Sequence, residues 1–252
     1  MDDVQQYISV LMEKTGAKYG STVVILSSIL FYIFGKIAQV AIPASACHAP
    51  WRWKNISVSL IHAVIVGIWA CLSFYETPKM AEDLITTYST SAHTLISFSI
   101  GYFLYDMCDM LVYQRNRHSF ELMGHHVVIF ICFGIAIVTR MYIGYAVVAL
   151  IVELNSIFLH IRQLLQICQF SKNHSVYRLN SLVNLGTFVV CRISVMAWMS
   201  RWLLINKDLV PLVFYSIGSV GLAVMTVMNI ILFYRLLRSD FIKKNESNKK
   251  EN

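Results

Sequence analysis

Charge is what this sequence has least of. Of its 252 residues, 14% are Asp, Glu, Lys or Arg and 57% are hydrophobic, where a soluble domain carries roughly 25% charged residues. There is too little polar surface to cover a water-soluble globule of this size, and mean hydropathy is +0.59. The same balance excludes a disordered chain, a collagen-like repeat and a small disulfide scaffold. The six cysteines (Cys47, Cys71, Cys108, Cys132, Cys168 and Cys191) stand singly, with no CxxC pair and no metal-ligand spacing. Most lie in apolar runs, where a thiol acts as a small hydrophobe, and Cys47 and Cys168 at span edges are candidates for palmitate. Also missing are the histidine boxes of membrane desaturases, a His-x4-Asp acyltransferase motif, a P-loop, a GxSxG elbow and a Cys-rich palmitoyltransferase core. No filter-like loop or charged ring suggests a channel. No basic patch interleaved with aromatics suggests nucleic acid.

What is present is a set of apolar runs near the ~20 residues that cross a bilayer. Seven spans are expected at about 21–42, 57–75, 91–113, 121–138, 141–168, 181–205 and 210–237. The fold class is therefore all-α: a polytopic membrane helix bundle with about seven transmembrane helices. Connections such as Arg115 to Phe120 and Thr139-Arg140 leave no room for a soluble domain. Seven spans put Arg52, Lys54, Arg115, Arg117, Lys172, Arg178, Arg235, Arg238, Lys243, Lys244, Lys249 and Lys250 on one side. Lys14, Lys18, Lys79, Arg140, Arg201 and Lys207 lie on the other. Twelve against six places the C-terminus in the cytosol, and part of the net charge of +7 faces the anionic inner leaflet. Ala44-Ser45-Ala46 is a passable leader-cleavage site, but the run before it is too long for a leader core and Lys36 interrupts it. Retention of the first span is the expectation. The sequons at Asn55, Asn173 and Asn245 all fall on the cytosolic side, so none should be used.

Ionisable side chains inside a bilayer cost at least about 2.5–3.5 kcal/mol each and are functional candidates by default. Here they are His62 in span two, Asp106 and Asp109 in span three, and His125 and His126 in span four. Span five adds Glu153, Asn155, His160 and Arg162; span six adds Asn184 and Arg192, and span seven adds Asn229. Most fall near the cytosolic ends of their spans, which points to a polar pocket below the inner headgroups, with Glu153, Arg192 and Asn229 deeper. Asp106 and Asp109 share a helix face. In span five, Glu153, Ser156 and His160 form one stripe, and Asn155 and Arg162 another roughly opposite, so this span should be central. Such groups can simply tie helices together. That reading suits Asn184, Asn229 and Arg192, the last paired with Glu153 or an aspartate. For Asp106, Asp109, His125 and His126 a site is favoured, because a carboxylate on one imidazole nitrogen orients and activates the other. No metal is expected, since no ligand spacing supports one.

The run SIGYFLYDMCDML followed by the His125-His126 pair opening a span resembles the TLC-domain family, which includes the ceramide synthases. More narrowly, HHVVIFICFGIAIVTRMYIGYAVVALIVELNSIFLHIRQLL, RLNSLVNLGTFVVCR and GLAVMTVMNIILFYRLLRSDF look like its calfacilitin-type branch. The resemblance implies an N-terminal segment, first span and loop over 1–56, a TLC domain over 57–241, and a basic cytosolic tail over 242–252. It also implies a plasma-membrane protein that limits incorporation of polyunsaturated chains into phospholipids and so promotes membrane rigidity. Ceramide synthases carry a second His-Asp pair about 28 residues after the paired histidines. Here that distance falls on Glu153-Leu154-Asn155, which puts sphingoid-base acylation in doubt.

Two functions stay open. One is a regulator that binds a lipid or acyl-CoA through His62, Glu153, Asn155, His160, Arg162 and Arg192. The other is an acyltransferase using His125, His126, Asp106 and Asp109 as the catalytic set, with Arg162 or Arg115 and Arg117 holding CoA phosphates. The expected partners are membrane lipids and fatty acyl chains. No resident cofactor is expected, and acyl-CoA is a candidate substrate. The Lys249-Lys250-Glu251-Asn252 ending fits a dilysine endoplasmic-reticulum signal, the alternative to the plasma membrane.

Overall fold

A computed structural model describes residues 2–114 and 117–242, with side chains over 18–114 and 120–240. Among these residues seven helical stretches are long and apolar enough to cross a membrane: Lys18–Val40, Pro50–Glu76, Thr90–Tyr113, Phe120–Thr139, Ile143–Ile167, Ser175–Ile205 and Leu212–Asp240. The protein is a multi-pass membrane helix bundle, and no strand occurs among the described residues.

The first helix, α1 (Asp2–Val40), ends before a short 3-10 turn at Ala44–Ala46. The second, α2 (Pro50–Glu76), carries Pro50 in its first turn, where a missing N–H costs nothing and the fixed φ suits a helix. It therefore starts seven residues earlier than the apolar run alone indicates. Arg52 and Lys54, counted above as loop charges, are helical, and Lys54 is buried. A four-residue helix, α3 (Lys79–Glu82), follows. Asp83 then closes a turn by accepting from the Thr86 hydroxyl and from the backbone N–H groups of Thr86 and Ile85. The Thr86 bonds hold the Asp83 carboxyl below its usual range.

The third span, α4 (Thr90–Tyr113), is capped by Ser89, whose hydroxyl accepts from the Ala92 N–H. It is the most enclosed span, with the fifth next. After α5 (Arg117–Thr139) the chain turns through Arg140 and Tyr142, both with positive φ (56° and 62°). Expected as one helix, span five is two: α6 (Ile143–Leu150) and α7 (Glu153–Ile167), offset at Ile151-Val152. Span six is likewise jointed, as α8 (Ser175–Phe188), a π-helical stretch Val189–Ser194, and α9 (Val195–Ile205). The last span is α10 (Leu212–Leu237), which continues as a π-helical turn through Ile242.

Small residues set how these helices meet. Helix α1 lies along α4 and α5, with the Ser27 hydroxyl donating to the Phe98 carbonyl (2.7 Å) and Ser28 to Gly101 (2.8 Å). A Cβ on Gly101 would stand 2.6 Å from the Val24 carbonyl oxygen, so only glycine allows this approach. Helix α2 packs on α7 and α4, and the core is filled by Phe31, Val58, Val66, Leu95, Ile96, Ile143 and Val147, all fully buried.

Candidate functional site

Between α2, α4, α5, α6, α7, α9 and α10 lies a cavity of about 1000 Å³. Its lining runs the length of the bundle. Near the end where α4 is joined to α5 it includes Arg52, Gln114, Glu121 and Arg235, with Arg235 bridged to Glu121 at 3.4 Å. Near the other end it is apolar and aromatic: Tyr142, Tyr145, Met196, Met199, Trp202 and Phe214. Burial raises the Tyr142 phenol above its usual range, so it stays neutral there. In between stand His62, Asp106, His125, His126, Glu153, His160 and Arg192.

Two histidine–carboxylate pairs face this middle section. His126 Nε2 lies 3.7 Å from Asp106 Oδ2, and Asn55 Nδ2 fixes the carboxylate by donating to its other oxygen at 2.6 Å. His62 Nδ1 lies 4.0 Å from Glu153 Oε2. The His62 ring is stacked on Tyr102 at 3.9 Å, and Tyr102 is tethered through its hydroxyl to Ser59. His125 Nδ1 contacts the Met225 sulfur at 2.8 Å. His62 Nε2, His126 Nδ1 and His160 Nδ1 are buried and have no hydrogen-bond partner among the described residues. An unmet buried polar atom costs about 1–3 kcal/mol, which a bound polar group would relieve.

Arg192 sits in the π-helical stretch, a feature common at functional sites because it shifts side chains out of regular register. Its partner was expected to be Glu153 or an aspartate. Instead Nε donates to Asn155 Oδ1 (2.7 Å), Nη1 to Asn229 Oδ1 (2.9 Å) and Nη2 to Ser156 Oγ (2.7 Å). Glu153 stands in the first turn of α7 and faces His62 of α2, while Asn155 faces Asn184 of α8.

Seven of the ten candidate residues thus line one cavity, and three stand off it. Asp109 binds Lys54 Nζ at 2.5 Å, and that ammonium also lies over the Tyr113 ring. Asn155 supports Arg192 from behind while donating to Asn184 and Thr187. Arg162 is engaged by Asp240 through two hydrogen bonds of 2.5 Å, and Asp240 accepts from Tyr177 and Ser181 as well. A CoA-phosphate role for Arg162 would require breaking that pair. Arg115 and the Arg117 side chain lie outside the described residues. Among the described residues no group of three or more His, Cys, Asp or Glu stands together at metal-holding geometry.

Lys54, Asn55, Tyr102, Met225 and Asp240 belong to these arrangements and were not singled out from sequence. The Pro50 helix-start signal could have placed Lys54 and Asn55 one turn inside α2. Asp240 meets Arg162 across 78 positions, and no local pattern announces that.

Comparison with known proteins bears on this geometry. The sequence pattern described as TLC domain matches residues 52–238. TLC domain-containing protein 2 of Danio rerio is 55% identical over 207 residues, covering 82% of this chain and 84% of the relative. TLC domain-containing protein 2 of Homo sapiens is 34% identical, covering 82% and 78%. TLC domain-containing protein 1 of Homo sapiens is 37% identical over 191 residues, covering 76% of each.

Proposed function

The chain belongs to the TLC-domain family of polytopic membrane proteins, and from that premise we propose that it regulates the acyl composition of membrane phospholipids. In this reading it limits incorporation of polyunsaturated chains and so promotes membrane rigidity, as its resemblance to the calfacilitin-type branch implies. The observation that carries the proposal is the cavity itself. A section with unmet imidazole nitrogens adjoins an apolar, methionine-rich section, which is the complement of a molecule with a polar head and an acyl chain. Thioether side chains adapt to chains of different shape, which suits a protein that sorts saturated from kinked ones.

A second reading, acyl transfer, draws on the two histidine–carboxylate pairs. His126, oriented by Asp106, would take the proton of an acceptor or attack an acyl-CoA thioester. In that case Arg52 and Arg235 at the polar end of the lining supply cations for the CoA phosphates. The charge asymmetry of the loops favours a cytosolic C-terminus, and the family resemblance favours the plasma membrane over the endoplasmic reticulum.

The test is phospholipid acyl-chain profiling of cells lacking the protein, rescued with wild type or with His125→Ala/His126→Ala at matched expression. Polyunsaturated phospholipids should rise on loss and fall on wild-type rescue. If the double variant fails to lower them, the polar section is required and the enzymatic reading gains. Equal rescue by both leaves the histidines a structural part and favours a regulator. An unchanged profile on loss contradicts both readings.

A further inference from the structure

We infer that Arg192 is the seat of a carboxylate, and that the cavity takes a long-chain fatty acid as its anion with the head at Arg192 and the chain along α9. This rests on the reading of the cavity as an acyl-lipid site and names the head group that site accepts.

Arg192 is a cation deep within its span whose hydrogen-bond acceptors are all neutral: two amide oxygens and a hydroxyl. No carboxylate among the described residues lies within 4 Å of it; Glu153, which faces His62, attracts it only from farther off, across the Ser156 hydroxyl that Arg192 also binds. A guanidinium has five N–H donors. Three are used, leaving one on each terminal nitrogen, the fork that matches the two oxygens of a carboxylate. The cradle is rigid. Asn155 Nδ2 is held by Asn184 and Thr187, and Asn229 Nδ2 by the Met225 carbonyl, so both amide oxygens stay on Arg192. His160, whose buried Nδ1 has no partner among the described residues, lines the same section and offers a further donor to an anion in the tautomer that carries the proton on that nitrogen.

The chain's direction follows from helix spacing. Met196, Met199 and Leu203, at intervals of three and four, form one stripe of α9, and they and Arg192 all line the cavity. A single cation is thus followed by the apolar length of α9, 11 residues or roughly 16 Å at 1.5 Å per residue. Tyr145, Phe214 and Gly218 line the same section. A phosphate head would bring a larger, more heavily hydrated charge to the same depth, and a CoA thioester would present no anion there.

The experiment is equilibrium binding of radiolabelled oleate to the full-length protein in nanodiscs, with oleyl alcohol, oleoyl-CoA and oleoyl lysophosphatidate as competitors. Wild type should bind oleate, and Arg192→Gln should bind it about tenfold or more weakly while oleyl alcohol competes equally well in both. A Cβ at Gly218 has room, meeting only Leu203 at 3.7 Å, so Gly218→Phe keeps Arg192, puts a ring into the apolar section and should lose oleate binding. Because Arg192→Gln could fail to fold, Gly218→Phe and the competitor series on wild type each stand as a test. Oleate binding that is unchanged in folded Arg192→Gln, or in Gly218→Phe, overturns the assignment. Lysophosphatidate outcompeting oleate on wild type overturns the carboxylate in favour of a phosphate. If oleoyl-CoA binds and oleate does not, this inference fails while the acyl-lipid cavity stands. If no acyl ligand binds, both fail.

Discussion

At the scale of single residues, buried polar groups carry the account, and each commits to a partner. Asp240 and Arg162 are a nearly enclosed pair, with side-chain exposures of 2% and 10%. Removing one partner of such a pair leaves a stranded charge, so Asp240→Ala should lower stability by about 3 kcal/mol. Replacing both by leucine should recover much of that, as thermal unfolding of the single and double variants in detergent would report. Asn55 gives a second expectation. Its amide is buried and hydrogen-bonded to Asp106, so a glycan on the Asn55-Ile56-Ser57 sequon is incompatible with this packing; an endoglycosidase-sensitive shift lost in Asn55→Gln would contradict this placement. The paired histidines and the aspartates before them were legible in the sequence because charged groups stand out in apolar runs. Their partners were not. Arg192 was expected on a carboxylate and found three neutral acceptors, because that choice depends on how α7 is rotated against the π-helical stretch.

At the scale of elements, the seven spans were legible since a bilayer demands long apolar windows, and such windows are local in sequence. Their interruptions were not, because the offset at Ile151-Val152 and the π-helical stretch at Val189–Ser194 answer to neighbouring helices rather than to composition. The start of α2 was missed for a different reason: apolar content begins near residue 57, but Pro50 had already opened the helix. Close approach of α1 to α4 makes a testable contrast between two glycines. Gly101→Val must push its new side chain into Ser27 and the Val24 carbonyl, and overpacking of this kind should cost about 2 kcal/mol. Gly124 has open space around its Cβ position, so Gly124→Ala should be neutral or stabilising by about 0.5–1 kcal/mol through helix propensity. Melting temperatures of the two variants should move in opposite directions or differ widely.

At the scale of the whole molecule, the bundle holds a partly open cavity with a polar middle and an apolar end, and the chain's two ends lie on opposite sides if all seven spans cross. Epitope tags on the two termini of intact cells should therefore give opposite accessibility, the C-terminal tag being detected only after permeabilisation; detection of both without it would contradict the topology. The central claim is that the cavity's contents govern phospholipid acyl composition. The most direct measurement is the phospholipid acyl-chain profile of cells lacking the protein, rescued with Gly218→Phe, which fills the apolar section and alters no ionisable group. The account predicts that this variant, expressed and folded like wild type, leaves polyunsaturated phospholipids as high as in unrescued cells. A profile restored to the wild-type level with the cavity filled would contradict it.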